Sequence, residues 1–226
     1  MKRVLSVLMI CALMCCLFAG CNNEDPTPST NPSTPSTPST PSVPSQPSEP
    51  TVQLPATALE LLQGVWTSYF NSLADDQKFP VAGGFSDNYE EMIMDNAGPV
   101  KLELEGSLYS LFVAEENYAH VEEASNVMHM MNGNTFTAGA LKLKEGTDIA
   151  AFTQSVRDMI AGNHWMCGFP DRFVVASVGN YVVIVYGQDG VEIDGFKTSE
   201  IVTPFINALT AQHPTTEILF NEQIAG

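Results

Sequence analysis

The second half of the chain carries two pairs of short apolar runs, and each pair is joined by a connection that contains glycine. Runs of β-branched and aromatic residues separated by a few turn residues are typical of β-hairpins. Gly179 and Asn180 form the shorter connection, and glycine in its first position fits a type II′ turn. The sequence therefore predicts two antiparallel hairpins, 124–131 with 135–144 and 173–178 with 181–187.

The second run of the first hairpin changes its apolar phase at Gly139. Phe136 and Ala138 alternate in one phase, whereas Leu141 and Leu143 alternate in the other. Because side chains of a regular strand point alternately to the two faces of a sheet, one extra residue would return both sets to one face. We therefore predict a β-bulge near Gly139.

Three segments repeat apolar residues with the period of a helix, one before the two hairpins and one after each of them. Pro55, Thr147 and Thr203 are suited to begin these helices, and Gly162 to end the second. The apolar positions are Leu59, Leu62, Trp66, Tyr69 and Leu73, then Ile149, Phe152, Val156 and Met159 or Ile160, then Phe205, Ile206 and Leu209. This order predicts an α+β fold, in which an antiparallel sheet built from two β-hairpins carries helices packed mainly on one face.

The N-terminus has a different pattern, a positively charged start followed by an apolar run over 4–18. This run is shorter than the ~20 residues that a stable membrane-spanning helix needs, and the small residues Ala19 and Gly20 are typical of a signal-peptide cleavage site. A cysteine directly after them resembles the lipobox of bacterial lipoproteins. The resemblance implies that the Cys21 thiol receives a diacylglycerol and that the residues before it are removed.

Lipidation of Cys21 implies a protein anchored on the outer face of the cell membrane, with the lipid bilayer as its partner through the acylated cysteine. Two or more acyl chains hold a protein stably, whereas a single chain binds reversibly. From 32 to 50 proline occupies every third position, which is typical of polyproline II. We therefore divide the chain into a signal peptide (1–20), the lipidated cysteine with a disordered Pro/Ser/Thr-rich linker (21–53) and a single domain (54–226).

Acidic residues dominate the charge of the chain. Nine basic and 26 acidic residues give a formal charge of −17 at pH 7, and removal of Lys2 and Arg3 with the signal peptide changes it to −19. Such a chain is repelled by phosphate backbones, so we expect no nucleic-acid partner. The acidic excess keeps the domain soluble outside the cell or, alternatively, complements a cationic partner.

Of the five cysteines, three leave with the signal peptide and Cys21 becomes a thioether, which leaves Cys167 as the one thiol. One thiol cannot form an internal disulfide. An exported domain of this kind must therefore be stabilised by its apolar core.

Four short segments resemble an uncharacterised family of small bacterial lipoproteins from Gram-positive gut anaerobes. The segments are 128–132, 134–137, 165–170 and 179–182. The resemblance covers 55–226 and implies the extracytoplasmic location and a single domain. It implies no activity and assigns no catalytic residue.

A cluster of soft side chains offers one alternative function, the binding of copper. Thioether, thiolate and imidazole groups together select Cu(I). Because strand side chains alternate, the residues at 128 and 130 face one way and those at 129 and 131 the other. The cluster comprises Met128, His129, Met130 and Met131 in the first hairpin, and His164, Met166 and Cys167 in the loop before the second.

A second alternative is a thiol-dependent enzyme that uses Cys167 with His164. A catalytic thiol needs a base and a third group that orients the base, and no family signature for such a set is present. The neighbouring Trp165 and Phe169 indicate a packed thiol instead.

We therefore expect a non-enzymatic binding or interaction domain, with no cofactor and no metal, whose partner is an extracytoplasmic protein, peptide or glycan. The expected site is the groove between the loop 163–171 and the first hairpin, because aromatic side chains in that loop offer apolar contact. The candidate binding residues are Trp165, Cys167, Phe169, Met128, Met130 and Asn132.

Overall fold

A computed structural model describes residues 53–83, 93–96, 98–104, 107–166, 168–193 and 195–224. Its helices and strands, in chain order, are α1 (Ala58–Ser72), β1 (Val81–Gly83), β2 (Ile93–Asn96), β3 (Val100–Leu102), β4 (Val121–His129), β5 (Phe136–Leu143), α2 (Ile149–Ala161), β6 (Arg172–Val178), β7 (Tyr181–Gly187), β8 (Glu192–Ile193), β9 (Phe196–Lys197), α3 (Val202–Gln212) and β10 (Glu217–Gln223). None of the described helices is both long enough and apolar enough to cross a membrane.

The strands form an antiparallel sheet in the order β10-β6-β7-β5-β4-β1-β2, with β3 also paired to β4. The chain therefore has the α+β fold that the sequence predicts. β4 with β5 and β6 with β7 are the two expected hairpin pairs, and β5 with β7 joins them. The sheet is larger than these two hairpins, because β1, β2, β3 and β10 extend it on both sides.

Each face of the sheet carries its own apolar core. α1 and α3 pack on one face, here called the α1 face, against Val127, Phe136 and Ala138 among others. α2 and the 3₁₀ turn Leu108–Leu111 pack on the opposite face, here called the α2 face. All residues of β7 are buried. The expectation that helices lie mainly on one face is not confirmed, because α2 and this turn cover the second face.

The predicted β-bulge at Gly139 is wrong. Pairing of β5 with β4 and with β7 runs through Gly139 without a shift in register. The two apolar phases instead supply the two cores, with Phe136 and Ala138 on the α1 face and Leu141 and Leu143 on the α2 face. The irregularity in this hairpin lies in β4, in the stretch from Val121 to Glu123.

Side-chain caps begin α1 and α2 at positions slightly different from those predicted, whereas α3 follows Ile201, whose side chain makes no capping bond. The hydroxyl of Thr57, two residues after Pro55, accepts a hydrogen bond from the Glu60 backbone N–H at 3.1 Å. In α2 the carboxylate of Asp148 accepts from Ala151 N–H at 3.0 Å, whereas Thr147 donates to the preceding turn. Asp and Thr both cap helices, so the period of the apolar residues alone does not decide whether Thr147 or Asp148 is the cap.

Replacement of Gly139 by alanine tests the close packing of β5 under the 3₁₀ turn. A Cβ at this position would lie 2.4 Å from both δ carbons of Leu111. We expect Gly139→Ala to lower the free energy of unfolding by about 1–3 kcal/mol, because overpacking a core forces its neighbours to shift.

The double-mutant cycle with Leu111→Ala isolates this contact. In the Leu111→Ala background Gly139→Ala should cost at least ~1 kcal/mol less than in the wild type, since contacting residues couple energetically. Denaturant unfolding of the four proteins measures both values. An equal cost in the two backgrounds would show that the Gly139–Leu111 contact does not limit packing.

Candidate functional site

A groove of about 660 Å³ opens on the α2 face between α2, the turn after Leu108–Leu111 and the loop residues 163–165. We call it the Trp165 groove. Apolar and aromatic side chains with a few polar groups form its lining, as is usual for binding sites. Its main lining residues are Tyr109, Phe112, Asn134, Met159, Trp165 and Tyr186.

Three aromatic rings in mutual contact form the floor of the groove. The ring centroids of Phe112, Trp165 and Tyr186 are 5.4 Å apart in each of the three pairs. The Tyr186 hydroxyl donates to the Ser110 carbonyl at 3.2 Å, and burial raises the pKa of Tyr186 to about 12. This phenol therefore stays neutral at physiological pH, and the floor of the groove carries no charge.

Phe112 holds its place in this floor with an uncommon backbone conformation. Its φ is 56°, in the left-handed region that a bulky side chain rarely adopts. Its N–H closes the 3₁₀ turn by bonding to the Tyr109 carbonyl at 3.0 Å. Backbone strain of this kind persists where surrounding contacts impose it and is concentrated at functional sites.

The Asn134 side chain attaches the loop that carries Trp165 to the first hairpin. Asn134 Nδ2 donates to the carbonyl of Met166 at 2.8 Å and to that of Gly168 at 2.9 Å. The Asn134 backbone N–H in turn donates to Asn132 Oδ1 at 3.0 Å. The β4–β5 turn and the Trp165 loop therefore form one hydrogen-bonded unit.

His129 holds the start of that turn. Its Nδ1 accepts from the backbone N–H groups of Met131 at 3.2 Å and Asn132 at 3.3 Å. The imidazole stacks on Phe79, with a centroid separation of 5.2 Å, on the α1 face. Burial lowers the pKa of His129, so the ring is neutral at physiological pH.

Exposed apolar side chains surround the groove or lie on the two loops beside it. Their exposed fractions range from 37% for Met159 to 78% for Met166. Clusters of exposed aromatic and methionine side chains mark interaction surfaces rather than random surface positions. The set is Tyr109, Met131, Met159, Met166 and Phe169.

The candidate residues named from the sequence have different environments. Trp165 is partly buried and lines the groove, whereas Phe169 is exposed on the same loop outside the lining. Met128 and Met130 are partly buried at the end of the first hairpin, and Asn132 lies in its turn. Cys21 and Cys167 lie outside the described residues.

The two histidines of the proposed copper cluster lie on opposite faces of the sheet. His129 packs against Phe79 on the α1 face, whereas His164 lines the groove on the α2 face. One metal site therefore cannot contain both. Within the described part of the chain, no three His, Cys, Asp or Glu side chains lie close enough to hold a metal ion.

Sequence reasoning missed most of the residues that shape the groove. Tyr109, Phe112 and Tyr186 come from a turn and a strand far from Trp165 in the chain. For the buried stripe of α2 the periodicity leaves Met159 and Ile160 as alternatives, and Ile160 is the buried one. No local pattern identifies which aromatic residues of different elements meet. Asn134 belongs to one of the four short segments that carry the family resemblance, and nothing in that segment indicates that its amide binds a distant loop.

No model of a known protein family matches the chain, and no curated protein or solved structure is significantly similar to it. We therefore infer its function from the residues of the Trp165 groove and from the N-terminal pattern.

Exchange of the Asn134 amide for a carboxylate tests the attachment of the Trp165 loop. Asn134→Asp removes both Nδ2 donors and places a negative charge against two carbonyl oxygens. We expect a local cost of about 1–3 kcal/mol, because two hydrogen bonds of about 0.5–1.5 kcal/mol each are lost. The loop should then be cleaved faster by proteases, and acrylamide should quench Trp165 fluorescence more strongly.

Asn163→Asp is the matched control, because Asn163 lies exposed in the same loop and the substitution adds the same charge. Its protease sensitivity and quenching should stay at the wild-type level. If both variants behaved alike, added charge rather than the Asn134 hydrogen bonds would account for the effect.

Proposed function

We propose that this chain is a membrane-anchored extracytoplasmic lipoprotein whose domain binds a protein or peptide at the Trp165 groove without catalysing a reaction. The N-terminal pattern supports the anchor: a positive start, an apolar run too short to span a membrane, two small residues and then Cys21. The observation that supports the binding role is the aromatic groove with its exposed apolar margin.

The chemistry of the groove favours a protein or peptide over a glycan. Trp and Tyr supply large contact areas with little loss of conformational entropy, and both are enriched at protein interfaces. Methionine adapts its shape to apolar side chains and is common on surfaces that bind peptides. Met159, which lines the groove, and the exposed Met166, which follows Trp165 in the chain, therefore fit a ligand that presents apolar side chains rather than hydroxyl groups.

Charge narrows the class of ligand further. The chain has 26 acidic and nine basic residues, so a basic partner approaches it faster and an acidic partner is repelled. Asp158 lies at the groove itself. We therefore expect a ligand in which an apolar segment, which fits the groove, is flanked by Lys or Arg, which complement the acidic charge.

Metabolic labelling tests the anchor. Cells that express the full chain and grow on an alkyne fatty acid should incorporate the label into the wild-type protein, because Cys21 receives the acyl groups. Cys21→Ala should abolish incorporation, measured by coupling a fluorophore to the alkyne after electrophoresis.

Cys16→Ala, in the same apolar run, is the control and should keep the label. An unlabelled wild-type protein, or a label that persists in Cys21→Ala, would contradict a thioether-linked lipid at this residue.

Peptide binding tests the groove. Full-length protein in detergent should bind amphipathic basic peptides more tightly than the same peptides with Glu in place of Lys. Trp165→Ala should weaken this binding at least ~10-fold, since a central aromatic anchor contributes more than ~1.4 kcal/mol. Fluorescence anisotropy of labelled peptides measures the affinity.

Phe196→Ala removes an aromatic side chain that is 81% exposed and lies outside the groove, on β9, and it should leave the affinity unchanged. Equal losses in the two variants would indicate nonspecific adhesion to apolar surface. Binding of soluble glycans in place of peptides would replace the proposed ligand class.

A further inference from the structure

His129 makes a pair of hydrogen bonds that only one of its protonation states allows. Two backbone N–H groups, of Met131 and Asn132, converge on Nδ1. A neutral imidazole with its proton on Nε2 presents a lone pair at Nδ1, whereas the imidazolium carries a proton on both nitrogens. Protonation would therefore set an N–H against two other N–H donors and break both bonds.

These bonds connect to the Trp165 groove through three consecutive contacts. Asn132, held by His129, uses its Oδ1 to accept from the Asn134 backbone N–H. The Asn134 amide then donates to the carbonyls of Met166 and Gly168, which flank the end of the Trp165 loop. The α1 face, where His129 packs, is thereby connected to the groove on the opposite face.

The groups around His129 determine how readily it takes up a proton. Four other titratable side chains line the cavity that it shares with Phe79: Tyr69, Asp76, Lys78 and Glu200. The two carboxylates favour the imidazolium, although Glu200 is paired with Lys197, and the Lys78 ammonium opposes it. Tyr69 stays neutral because burial raises its pKa.

The strand neighbours of His129 add no charge. Met128 and Met130 precede and follow it in the chain, and Val81 is its partner on β1. Burial thus decides the direction of the shift, and it lowers the pKa of His129 below its ordinary value of about 6.5.

We propose that His129 is a positioning residue for the Trp165 groove. Its neutral imidazole keeps the groove in the binding form, and its protonation releases the Trp165 loop. The effect on ligand binding rests on the proposed function, whereas release of the Trp165 loop is a property of the unliganded protein. The folded state disfavours the imidazolium. The Trp165 loop is therefore held in place above about pH 6.5, and it is released as the pH falls through the lowered pKa of His129 in the folded protein.

Acrylamide quenching of the unliganded full-length protein between pH 7.5 and 5.0 tests the release. Of the two tryptophans Trp66 is only 2% exposed, so the quenching reports mainly on Trp165. We expect a constant value above pH 6.5 and an increase with a midpoint below it. His129→Gln should abolish this increase, because an amide oxygen accepts hydrogen bonds without titrating in this range.

His213→Gln is the matched control. Burial lowers the pKa of His213 as it does that of His129, yet His213 ends α3 and bonds to no residue of the β4–β5 turn among those described. This variant should lose part of the acid sensitivity of global unfolding while keeping the increase in Trp165 quenching.

Selective ¹⁵N labelling of methionine and asparagine supplies a second measurement that needs no variant. In the wild type the backbone amide signals of Met131 and Asn132 should shift with the same midpoint as the His129 ring protons. Amide signals that stay constant while the ring titrates would overturn the proposal even if His129→Gln failed to fold.

The effect on ligand binding is tested by measuring the affinity for the basic amphipathic peptide at pH 7.5 and at pH 5.5. We expect binding roughly 5-fold weaker at the lower pH in the wild type, and no change with pH in His129→Gln. An absent quenching transition, or one that persists in His129→Gln, overturns the role of His129. A normal transition without peptide binding at either pH supports that role and overturns the proposed function instead.

Discussion

The two central strands of the sheet are buried on both faces, and the positions of the other elements follow from this constraint. β7 exposes no residue, and β5 contributes Phe136 to one core and Leu141 to the other. Backbone groups inside such a sheet are satisfied by strand pairing, but each apolar face still needs cover. α1 and α3 supply it on one side, and α2 with the turn Leu108–Leu111 supplies it on the other.

The Trp165 groove lies where the cover of the α2 face is incomplete. Tyr186 is near the end of β7, and Phe112 and Trp165 from the neighbouring loops pack against its ring there. Aromatic rings serve both needs there, since their buried faces complete the core while other edges remain accessible. The proposed binding surface is thus the exposed margin of a packed core, not a separate structure added to it.

Hydrogen bonds from polar side chains keep that margin in place. Burial of the Tyr186 ring stabilises the floor, but the loop that carries Trp165 depends on Asn134, and the turn that carries Asn134 depends on His129. Hydrogen bonds in a network polarise one another, so the loss of one bond weakens its neighbours. A titratable acceptor at the start of the network therefore gives the groove a sensitivity to acid that its aromatic floor lacks.

The sequence alone determined the elements whose periods are long and regular: the two hairpin pairs, the three helices and the α+β class. The sequence also carries the N-terminal pattern that supports the proposed signal peptide and the proposed lipid attachment at Cys21, because such a pattern is one continuous segment of the chain. The tertiary structure decided which face each side chain occupies. Gly139 shows the reason, since a change of apolar phase has the same appearance for a bulge and for a strand covered on both faces. The meeting of Phe112, Trp165 and Tyr186, and the attachment of their loop by Asn134, depend on contacts between distant segments that no local pattern records.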